Sequence, residues 1–233
     1  MFSKPVLHSF TDALLKNQRL LAVLIDPEKF DLAGTASFLR TLPSEVTHLF
    51  VGGSTVPKGW AEAVVKELKL YTAKPLVLFP GDVSQITPLA DAVLFLSLLS
   101  GRNPEYLVGQ QVKAVTSLRG TKLEVIPTGY LLLDGGNPSA VARITATEPM
   151  PQNDLNNIVD TAKAAELMGA QVVYLEAGSG AKLSVAPKII TAVRKELSIP
   201  LIVGGGIKTK IQLEEAYQAG AQMVVMGTAF EKA

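Results

Sequence analysis

Eight short apolar segments recur along this chain, and segments with helical periodicity separate most of them. The apolar residues run continuously instead of alternating with polar ones, which is typical of parallel strands buried on both faces. We therefore predict strands over Leu20–Asp26, His48–Gly52, Pro75–Phe79, Ala92–Ser97, Leu123–Leu132, Gln171–Glu176, Pro200–Gly204 and Gln222–Met226. Eight strands that alternate with helices predict an α/β fold of the (β/α)8 TIM-barrel type.

The helical segments make the predicted barrel irregular. Helical periodicity covers Leu32–Leu42, Lys58–Tyr71, Pro104–Leu118, Asn153–Met168, Val185–Leu197 and Ile211–Ala219. Between Phe79 and Ala92 there is room only for a loop or one short turn, so the helix after strand 3 is predicted to be missing or reduced. The last strand ends close to Ala233, so no eighth helix is predicted. The helix-like segment Phe10–Lys16 is expected to cover this gap or the barrel floor.

One long segment, Asp134–Gln152, is rich in glycine and proline and is predicted to be irregular. A loop of this length in a compact domain is often functional, so a lid over the site is one interpretation. An ordinary surface excursion is the alternative. The pattern itself does not choose between them.

Composition bounds the class of protein. The chain has 233 residues, of which 48% are hydrophobic and 18% charged, which predicts one domain over residues 1–233. A net charge of +1 gives no indication of nucleic-acid binding. The absence of cysteine excludes disulfides, thiolate metal sites and thiol catalysis. No signal peptide and no transmembrane segment are predicted, and a cytoplasmic location is expected.

Two of the predicted strands end on glycine. Gly204, Gly205 and Gly206 close one of them, and Gly227 and Thr228 follow the next. Glycine leaves the backbone N–H groups accessible at the end of a strand, and such donors suit a phosphate group. In a (β/α)8 barrel a phosphate site is frequently formed after strands 7 and 8. The sequence therefore predicts a phosphorylated small molecule as ligand.

An aspartate and a serine follow the first two predicted strands. Asp26 ends the first strand, and Ser54 comes after the two glycines that close the second. Mg²⁺ prefers carboxylates together with waters and substrate phosphates, so Asp26 and a neighbouring hydroxyl are suited to a magnesium site. The alternative is that Asp26 caps the turn before Pro27 and that Ser54 caps the next helix.

The sixth predicted strand ends in an acid and a small loop. Tyr174 and Glu176 point the same way, because side chains alternate along a strand. A glutamate at the barrel mouth can act as a general base towards a substrate hydroxyl, and the loop Gly178–Gly180 can reach a phosphate. The alternative is that Glu176 pairs with a lysine such as Lys208 and that the glycines only form a turn.

A further segment follows the fourth strand. The guanidinium of Arg102 is suited to grip a diphosphate. The side chains of Leu98, Leu99 and Tyr106 are candidates for an apolar slot, although core packing explains the leucines equally well.

Taken in order, these motifs resemble the geranylgeranylglyceryl phosphate synthases and their bacterial relatives, the PcrB-like proteins. Glycine runs occur in many phosphate-binding barrels, but the combination of YLEAGSG with SLLSGRNP is much more specific. The resemblance covers nearly the whole chain. The matching strings are Asp26–Lys29, Val51–Ser54, Ser97–Pro104, Pro127–Tyr130, Tyr174–Gly180, Gly204–Ile207 and Gly227–Thr228.

The resemblance implies a modified barrel without a regular third helix. It also implies a Mg²⁺-dependent transfer of a polyprenyl group, commonly geranylgeranyl, from its diphosphate to the sn-3 hydroxyl of sn-glycerol 1-phosphate. In this sequence the implied Mg²⁺ positions are Asp26 and Ser54, and the implied catalytic residues are Glu176 as base and Tyr174 beside it. A homo-oligomer is implied as well, with transient contact between the lipid product and a membrane surface.

The remaining implied positions bind the substrates. Those that would contact glycerol phosphate are Tyr174, Leu175, Glu176, Ala177, Gly178, Ser179, Gly180, Gly204, Gly205, Gly206, Gly227 and Thr228. Arg102 would contact the diphosphate. The candidates for the prenyl groove are Leu98, Leu99, Tyr106, Tyr130 and Leu131.

Two other classes of function stay open on the sequence. A phosphosugar isomerase or epimerase could use the same barrel, but such enzymes usually need a second acid/base or a set of metal-binding histidines. Neither His8 nor His48 lies at the carboxyl end of a strand. A non-catalytic phosphate-binding protein would not need Asp26 together with Glu176. Barrel architecture alone decides none of this.

Overall fold

The structure is a computed structural model that describes residues 5–230, and it shows a closed barrel of eight parallel strands. Each strand pairs with the next along the chain, and β1 pairs with β8 to close the barrel. The fold class predicted from the sequence is confirmed. The strands are β1 (Leu20–Ile25), β2 (Val46–Val51), β3 (Leu76–Leu78), β4 (Ala92–Leu98), β5 (Glu124–Leu132), β6 (Val172–Glu176), β7 (Leu201–Gly204) and β8 (Met223–Met226).

Helices flank the strands in the predicted places, and one further helix lies within Asp134–Gln152. They are α1 (Val6–Leu15), α2 (Thr35–Thr41), α3 (Trp60–Leu68), α4 (Gln110–Leu118), α5 (Ala140–Thr145), α6 (Leu155–Leu167), α7 (Pro187–Glu196) and α8 (Lys210–Gln218). Short 3₁₀ turns cover Leu32–Gly34 and Val83–Gln85, and one π-helical turn, Glu105–Gly109, precedes α4. Among the described residues, no helix is both long and apolar enough to cross a membrane.

Both predicted irregularities of the barrel are present. Only the 3₁₀ turn Val83–Gln85 separates β3 from β4, so the helix after strand 3 is reduced as predicted. No helix follows β8 in the described part of the chain, which ends at Phe230, and residues 231–233 lie outside it.

The segment Asp134–Gln152 is more ordered than predicted, because it contains α5. The Ser139 hydroxyl accepts a hydrogen bond from the Ala142 N–H at 3.0 Å, which caps this helix. A serine at this position is a typical helix N-cap and predicts the start of a helix, although the surrounding glycine and proline content suggests irregular structure.

The core has two layers, because alternate residues of each strand face opposite sides. Side chains such as Phe50, Leu94 and Ile202 fill the barrel interior. Others, such as Leu49 and Leu175, pack outward against the helices. Both faces are therefore buried, which explains why the strand sequences are continuously apolar.

The amino-terminal end of the barrel, which we call the floor, is closed by α1. Its side chains Val6, Phe10 and Ala13 are buried in the inner layer. The Glu124 carboxylate on β5 accepts hydrogen bonds from the backbone N–H groups of Val6 and Leu7, where the helix begins. The helix predicted over Phe10–Lys16 thus covers the floor, and not the gap left by the missing eighth helix.

Candidate active site

A cavity of about 380 Å³ opens at the carboxyl-terminal end of the barrel, which we call the mouth. Its volume is in the range of small-molecule sites. The cavity brings together ten of the residues singled out from the sequence, which end five different strands or follow them. These ten are Asp26, Ser54, Tyr174, Glu176, Ser179, Gly180, Gly205, Gly206, Gly227 and Thr228.

Glu176 lies at the end of β6 and is only 6% exposed. Burial raises the pKa of its carboxyl group to about 7, because the charged form is poorly solvated there. The Gly178 N–H, which donates to Oε1 at 2.7 Å, and the nearby Tyr174 hydroxyl both favour the charged form and only partly offset this. A carboxyl group with a pKa near neutrality is suited to take up a proton at physiological pH.

Three aromatic rings form the inner wall of the cavity beside Glu176. The ring of Tyr174 stacks on Phe79 with centroids 5.0 Å apart, and Tyr130 lies edge-on to Tyr174 at 5.6 Å. The Tyr174 hydroxyl is buried and has no hydrogen-bond partner among the described residues. Burial first, and the Glu176 charge second, raise the pKa of this hydroxyl well above its usual value. The hydroxyl therefore stays protonated and can donate to a ligand.

Glycines bring the backbone close to Glu176. Gly205 and Gly206 both have left-handed backbone, with φ of +82° and +71°, which favours glycine. A Cβ at Gly205 would lie 2.6 Å from the Ala177 nitrogen and would also clash with the Glu176 carboxylate. A side chain at Gly204 would clash with the Tyr174 hydroxyl. Gly204, Gly205 and Gly206, which we call the glycine cradle, thus leave the space beside the carboxylate free of side chains.

Lys208 is not an ion-pair partner of Glu176 in this structure. It lines the same cavity, and its Nζ donates to the Ala181 carbonyl at 3.3 Å. The mouth therefore holds a cation close to the glycine cradle, where it can contribute to binding an anion.

Asp26 and Ser54 both line the cavity, and because β1 pairs with β8, Asp26 lies on the side of the mouth next to Gly227. Asp26 Oδ1 accepts a hydrogen bond from the Glu28 N–H at 3.1 Å, so the predicted turn cap is present as well. Its Oδ2 lies 3.5 Å from Lys29 Nζ. Ser54 does not cap the next helix, since α3 begins after Gly59.

Asp26 and Ser54 fit a magnesium ion that takes most of its ligands from waters and phosphate oxygens. A Cβ at Gly53 would lie 2.9 Å from Asp26 Oδ1, so glycine keeps this oxygen accessible. Within residues 5–230, no group of three or more histidine, cysteine or acidic side chains is placed to hold a metal. One carboxylate and one hydroxyl are a sparse set, and Mg²⁺ is commonly bound by few protein groups with waters and phosphate oxygens.

Arg102 does not reach the cavity, contrary to the prediction. Its guanidinium donates to the Leu99 carbonyl at 2.7 Å and to the Thr161 hydroxyl at 3.3 Å. The left-handed backbone of Arg102, with φ of +53°, turns the chain after β4. These contacts brace the turn, and Arg102 is absent from the cavity lining.

Four other predicted contact residues shape the mouth without lining it. Leu175 and Ala177 alternate with Tyr174 and Glu176, so they face the outer layer. The Gly178 N–H is taken up by Glu176, as described above. The Gly204 carbonyl accepts the Ala177 N–H at 3.1 Å.

The cavity continues into an apolar groove between β4, α4, α5 and the 3₁₀ turn after β3. Of the predicted groove residues, Leu98, Tyr106 and Tyr130 line the cavity, whereas Leu99 and Leu131 pack in the outer layer. Sequence reasoning missed the remaining wall, because it faces the space that the missing helix would fill. Those further lining residues include Val83, Ile86, Val93, Phe95, Gln110, Gln111, Ala114, Val141 and Ile144.

Comparisons with known proteins agree with this geometry. Residues 14–233 match the model of the PcrB family. A geranylgeranylglyceryl phosphate synthase of Zunongwangia profunda is 55% identical over 224 residues, which are 94% of this chain and 96% of the relative. The enzyme of the same name from Flavobacterium johnsoniae is 48% identical, over 94% of this chain and 91% of the relative.

A solved structure is similar over the same range. It is the (S)-3-O-geranylgeranylglyceryl phosphate synthase of Thermoplasma acidophilum in complex with its substrate sn-glycerol-1-phosphate. The two chains superpose with a TM-score of 0.90 at 35% identity, over 99% of this chain and 93% of the other.

Proposed function

This chain belongs to the PcrB family, and from that membership and the geometry of the mouth we propose that it is a prenyltransferase. It joins the sn-3 hydroxyl of sn-glycerol 1-phosphate to a polyprenyl diphosphate, commonly geranylgeranyl diphosphate, through an ether bond. The observation that carries this proposal is one continuous cavity. At one end the cavity has a glycine cradle beside Glu176, and at the other an apolar groove.

The bond changes are balanced by groups at the mouth. The sn-3 oxygen forms a bond to C1 of the prenyl chain as the bond from C1 to the diphosphate oxygen breaks. The Glu176 carboxylate takes the hydroxyl proton, and the diphosphate leaves with the electron pair of the broken bond. The allylic C1 tolerates positive charge as the leaving group departs, so Glu176 need only accept the proton as the ether bond forms.

Positioning accounts for much of the proposed rate enhancement. The phosphate of glycerol phosphate binds at Gly205, Gly206, Gly227 and Thr228, with the Ser179 loop beside them. The phosphate anchors one end of a short molecule, so its far hydroxyl is confined near Glu176. The wall of Phe79, Tyr130 and Tyr174 excludes water from the reacting carbon.

Mg²⁺ is part of this proposal. Asp26 and Ser54 would hold the ion, which when bound supplies positive charge to the departing diphosphate. Lys29, ion-paired with Asp26 in this structure, lies on the same side of the cavity and provides a second positive charge there.

The groove argues against the phosphosugar isomerase. A sugar phosphate needs no apolar groove, and the cavity lining contains no histidine among the described residues. The buried Glu176, whose pKa is raised to about 7, likewise argues against a protein that only binds a phosphate. Burying an acid without an ion-pair partner is unfavourable, and such acids are found mainly at functional sites.

Assembly and location are proposed from the resemblance. The chain acts in the cytoplasm as a homo-oligomer, and its lipid product makes transient contact with a membrane surface. Size-exclusion chromatography with light scattering tests the homo-oligomer. A measured mass equal to that of one chain would contradict it.

The direct test of the activity is an extraction assay. Purified protein is incubated with Mg²⁺, radiolabelled sn-glycerol 1-phosphate and prenyl diphosphates of increasing length, one at a time. Label in the organic phase with at least one length is the expected result. No extractable label with any length, although glycerol phosphate binds, would contradict the transferase and return the isomerase or binding protein to consideration.

The metal assignment has its own prediction. Asp26→Asn should abolish Mg²⁺-dependent turnover, because the side chain loses the charge that attracts the cation. Glycerol-phosphate affinity should fall much less than turnover, and the thermal unfolding midpoint should stay close to that of the parent chain, since the Asp26 side chain is partly exposed. Turnover within about twofold of the parent at the same Mg²⁺ concentration would contradict the assignment.

A further inference from the structure

Two neighbouring segments at the mouth carry lysines and no acids. Residues 177–190 run from the end of β6 into α7, and residues 204–213 run from the end of β7 into α8. Together they contain four lysines and neither aspartate nor glutamate. The segments lie side by side because β6 pairs with β7, and Lys208 Nζ donates to the Ala181 carbonyl from one to the other. They therefore form one positively charged part of the rim.

Other segments at the mouth have the opposite charge. Residues 26–34, which follow β1, carry three acids and one lysine, and residues 133–154, which follow β5, carry three acids and one arginine. The positive charge is thus concentrated on the side of the mouth formed by β6 and β7. A one-sided charge of this kind favours a partner surface of negative charge on that side.

Two large apolar side chains are exposed in the same segments. Leu183 is 60% exposed and Ile211 is 72% exposed. The lysines at 182, 188 and 208 are exposed as well, whereas the charge of the fourth, at 210, also interacts with an acid outside the two segments. Lysines beside exposed apolar side chains are typical of surfaces that bind an anionic membrane. We call this set the lysine rim, and its members are Lys182, Leu183, Lys188, Lys208 and Ile211.

We propose that the lysine rim docks the mouth of the barrel onto a bilayer that contains anionic lipids, an inference that rests on the proposed function. The ammonium groups bind lipid phosphates, and Leu183 and Ile211 enter between the headgroups. Attraction of small anionic substrates would use the lysines but would not need the exposed apolar side chains. The product of the proposed reaction has a prenyl tail, so a mouth held against a bilayer lets it leave without exposing that tail to water.

Vesicle flotation measures the docking. We expect the parent chain to bind vesicles of equal parts phosphatidylglycerol and phosphatidylcholine, and to bind vesicles of phosphatidylcholine alone far more weakly. The double variant Lys182→Gln/Lys188→Gln should bind the anionic vesicles about 25-fold more weakly, since each lysine near an anionic surface contributes about fivefold. Neither residue lines the cavity, so turnover without vesicles should be unchanged.

A matched control makes the same change of charge near the floor. Lys122 precedes β5 and Lys195 lies in the last turn of α7, and both are exposed. The double variant Lys122→Gln/Lys195→Gln should bind anionic vesicles within about twofold of the parent. Equal weakening in the two double variants would show that net charge controls binding, and would overturn the inference.

Leu183→Ser/Ile211→Ser tests the apolar part of the rim and keeps every lysine. Binding to the anionic vesicles should weaken by about tenfold, because less apolar surface leaves the water. The thermal unfolding midpoint should stay near that of the parent, since both side chains are exposed. Binding equal to that of the parent would show that the rim only attracts anions, and would overturn the docking.

Vesicle binding is measured without substrates, so it decides the inference separately from the proposed function. No binding of anionic vesicles by a parent chain that turns over would overturn the inference alone. A raised KM for glycerol phosphate in Lys182→Gln/Lys188→Gln, with vesicle binding unchanged, would show that the lysines attract the substrate and would overturn it too. Absence of turnover by the parent chain with every prenyl length would instead contradict the transferase.

Discussion

Polar groups at the two ends of the barrel interior differ in whether they find hydrogen-bond partners within the protein. At the floor, the Glu124 carboxylate accepts the first N–H groups of α1. The ring nitrogens of His48 lie 3.1 Å from Ser9 Oγ and 2.8 Å from Thr47 Oγ1. At the mouth, the Tyr174 hydroxyl has no partner among the described residues. These polar groups at the floor bind other parts of the protein, whereas the Tyr174 hydroxyl at the mouth is available to a ligand.

Burial shifts the pKa values at the two ends in opposite directions. Desolvation lowers the pKa of His48 to about 4, with a smaller contribution from Lys74, and raises that of Glu176 to about 7. In both residues the neutral form is favoured. His48 is therefore a neutral structural group at physiological pH, whereas Glu176 titrates there and can exchange a proton.

The difference shows which buried group to assign to function. Equal burial says little by itself, since Glu176 and His48 are both nearly inaccessible. The useful distinction is whether the hydrogen-bonding capacity of a group is used up inside the protein, and the predictions below test that distinction.

The largest effect is expected for Glu176→Gln. Turnover should fall by about a thousandfold, because glutamine keeps the shape of the side chain but cannot accept the proton. Glycerol-phosphate affinity, measured by calorimetry, should change little. The parent rate should itself decline as the pH falls below about 7, where Glu176 becomes protonated.

Glu124→Gln is the matched control for this variant. It makes the same chemical change at the floor, where the carboxylate accepts hydrogen bonds from the start of α1 and does not line the mouth cavity, so turnover should stay near that of the parent. Equal losses of turnover in the two variants, or equal losses of turnover and affinity in Glu176→Gln, would contradict a special role for the carboxylate at the mouth.

A smaller effect is expected on stability, and it depends on pH. Between about pH 4.5 and 7 the folded chain keeps a proton on Glu176 that the unfolded chain has released, so the stability of the parent falls as the pH rises. Glutamine does not titrate. Glu176→Gln should therefore be more stable than the parent by about 2 to 3 kcal/mol above pH 7, and by almost nothing near pH 4.

Urea unfolding at a series of pH values measures this difference. Glu124→Gln should show no such gain at high pH, because it weakens the hold on the first turn of α1. A stability difference between Glu176→Gln and the parent that does not vary with pH would show that burial does not control the ionisation of Glu176.

The sequence predicts the barrel well, because the strand pattern reports burial on both faces and the barrel satisfies that pattern. It also identifies Glu176, since an acid at the end of an apolar strand is conspicuous. The pattern does not show where Arg102 points, because a guanidinium can satisfy local carbonyls as readily as a ligand. The left-handed backbone of Arg102 after β4 sets the direction of its side chain. An arginine at this position does not predict such a backbone conformation.

The groove wall is the other part that the sequence does not reveal. Val93 and Phe95 have the composition of ordinary outer-layer residues, and they line the cavity only because the helix after β3 is reduced. Gln110 and Gln111 likewise have the pattern of a solvated helix face. They line the cavity because the helix after β3 is reduced, and the local sequence of α4 does not encode that absence.

The smallest effect is expected at the floor, for Ser9→Ala. This change removes the hydroxyl that lies beside His48 Nε2 and leaves the imidazole with an unsatisfied buried nitrogen. The free energy of unfolding should fall by about 1 kcal/mol, measured by urea unfolding at pH 7, because α1 is held less firmly. The kcat and KM values should not change, since the floor groups have no contact with the mouth cavity. A loss of turnover without a loss of stability would contradict the distinction between the two ends. It would show that a group whose hydrogen bonds are satisfied inside the protein contributes to function.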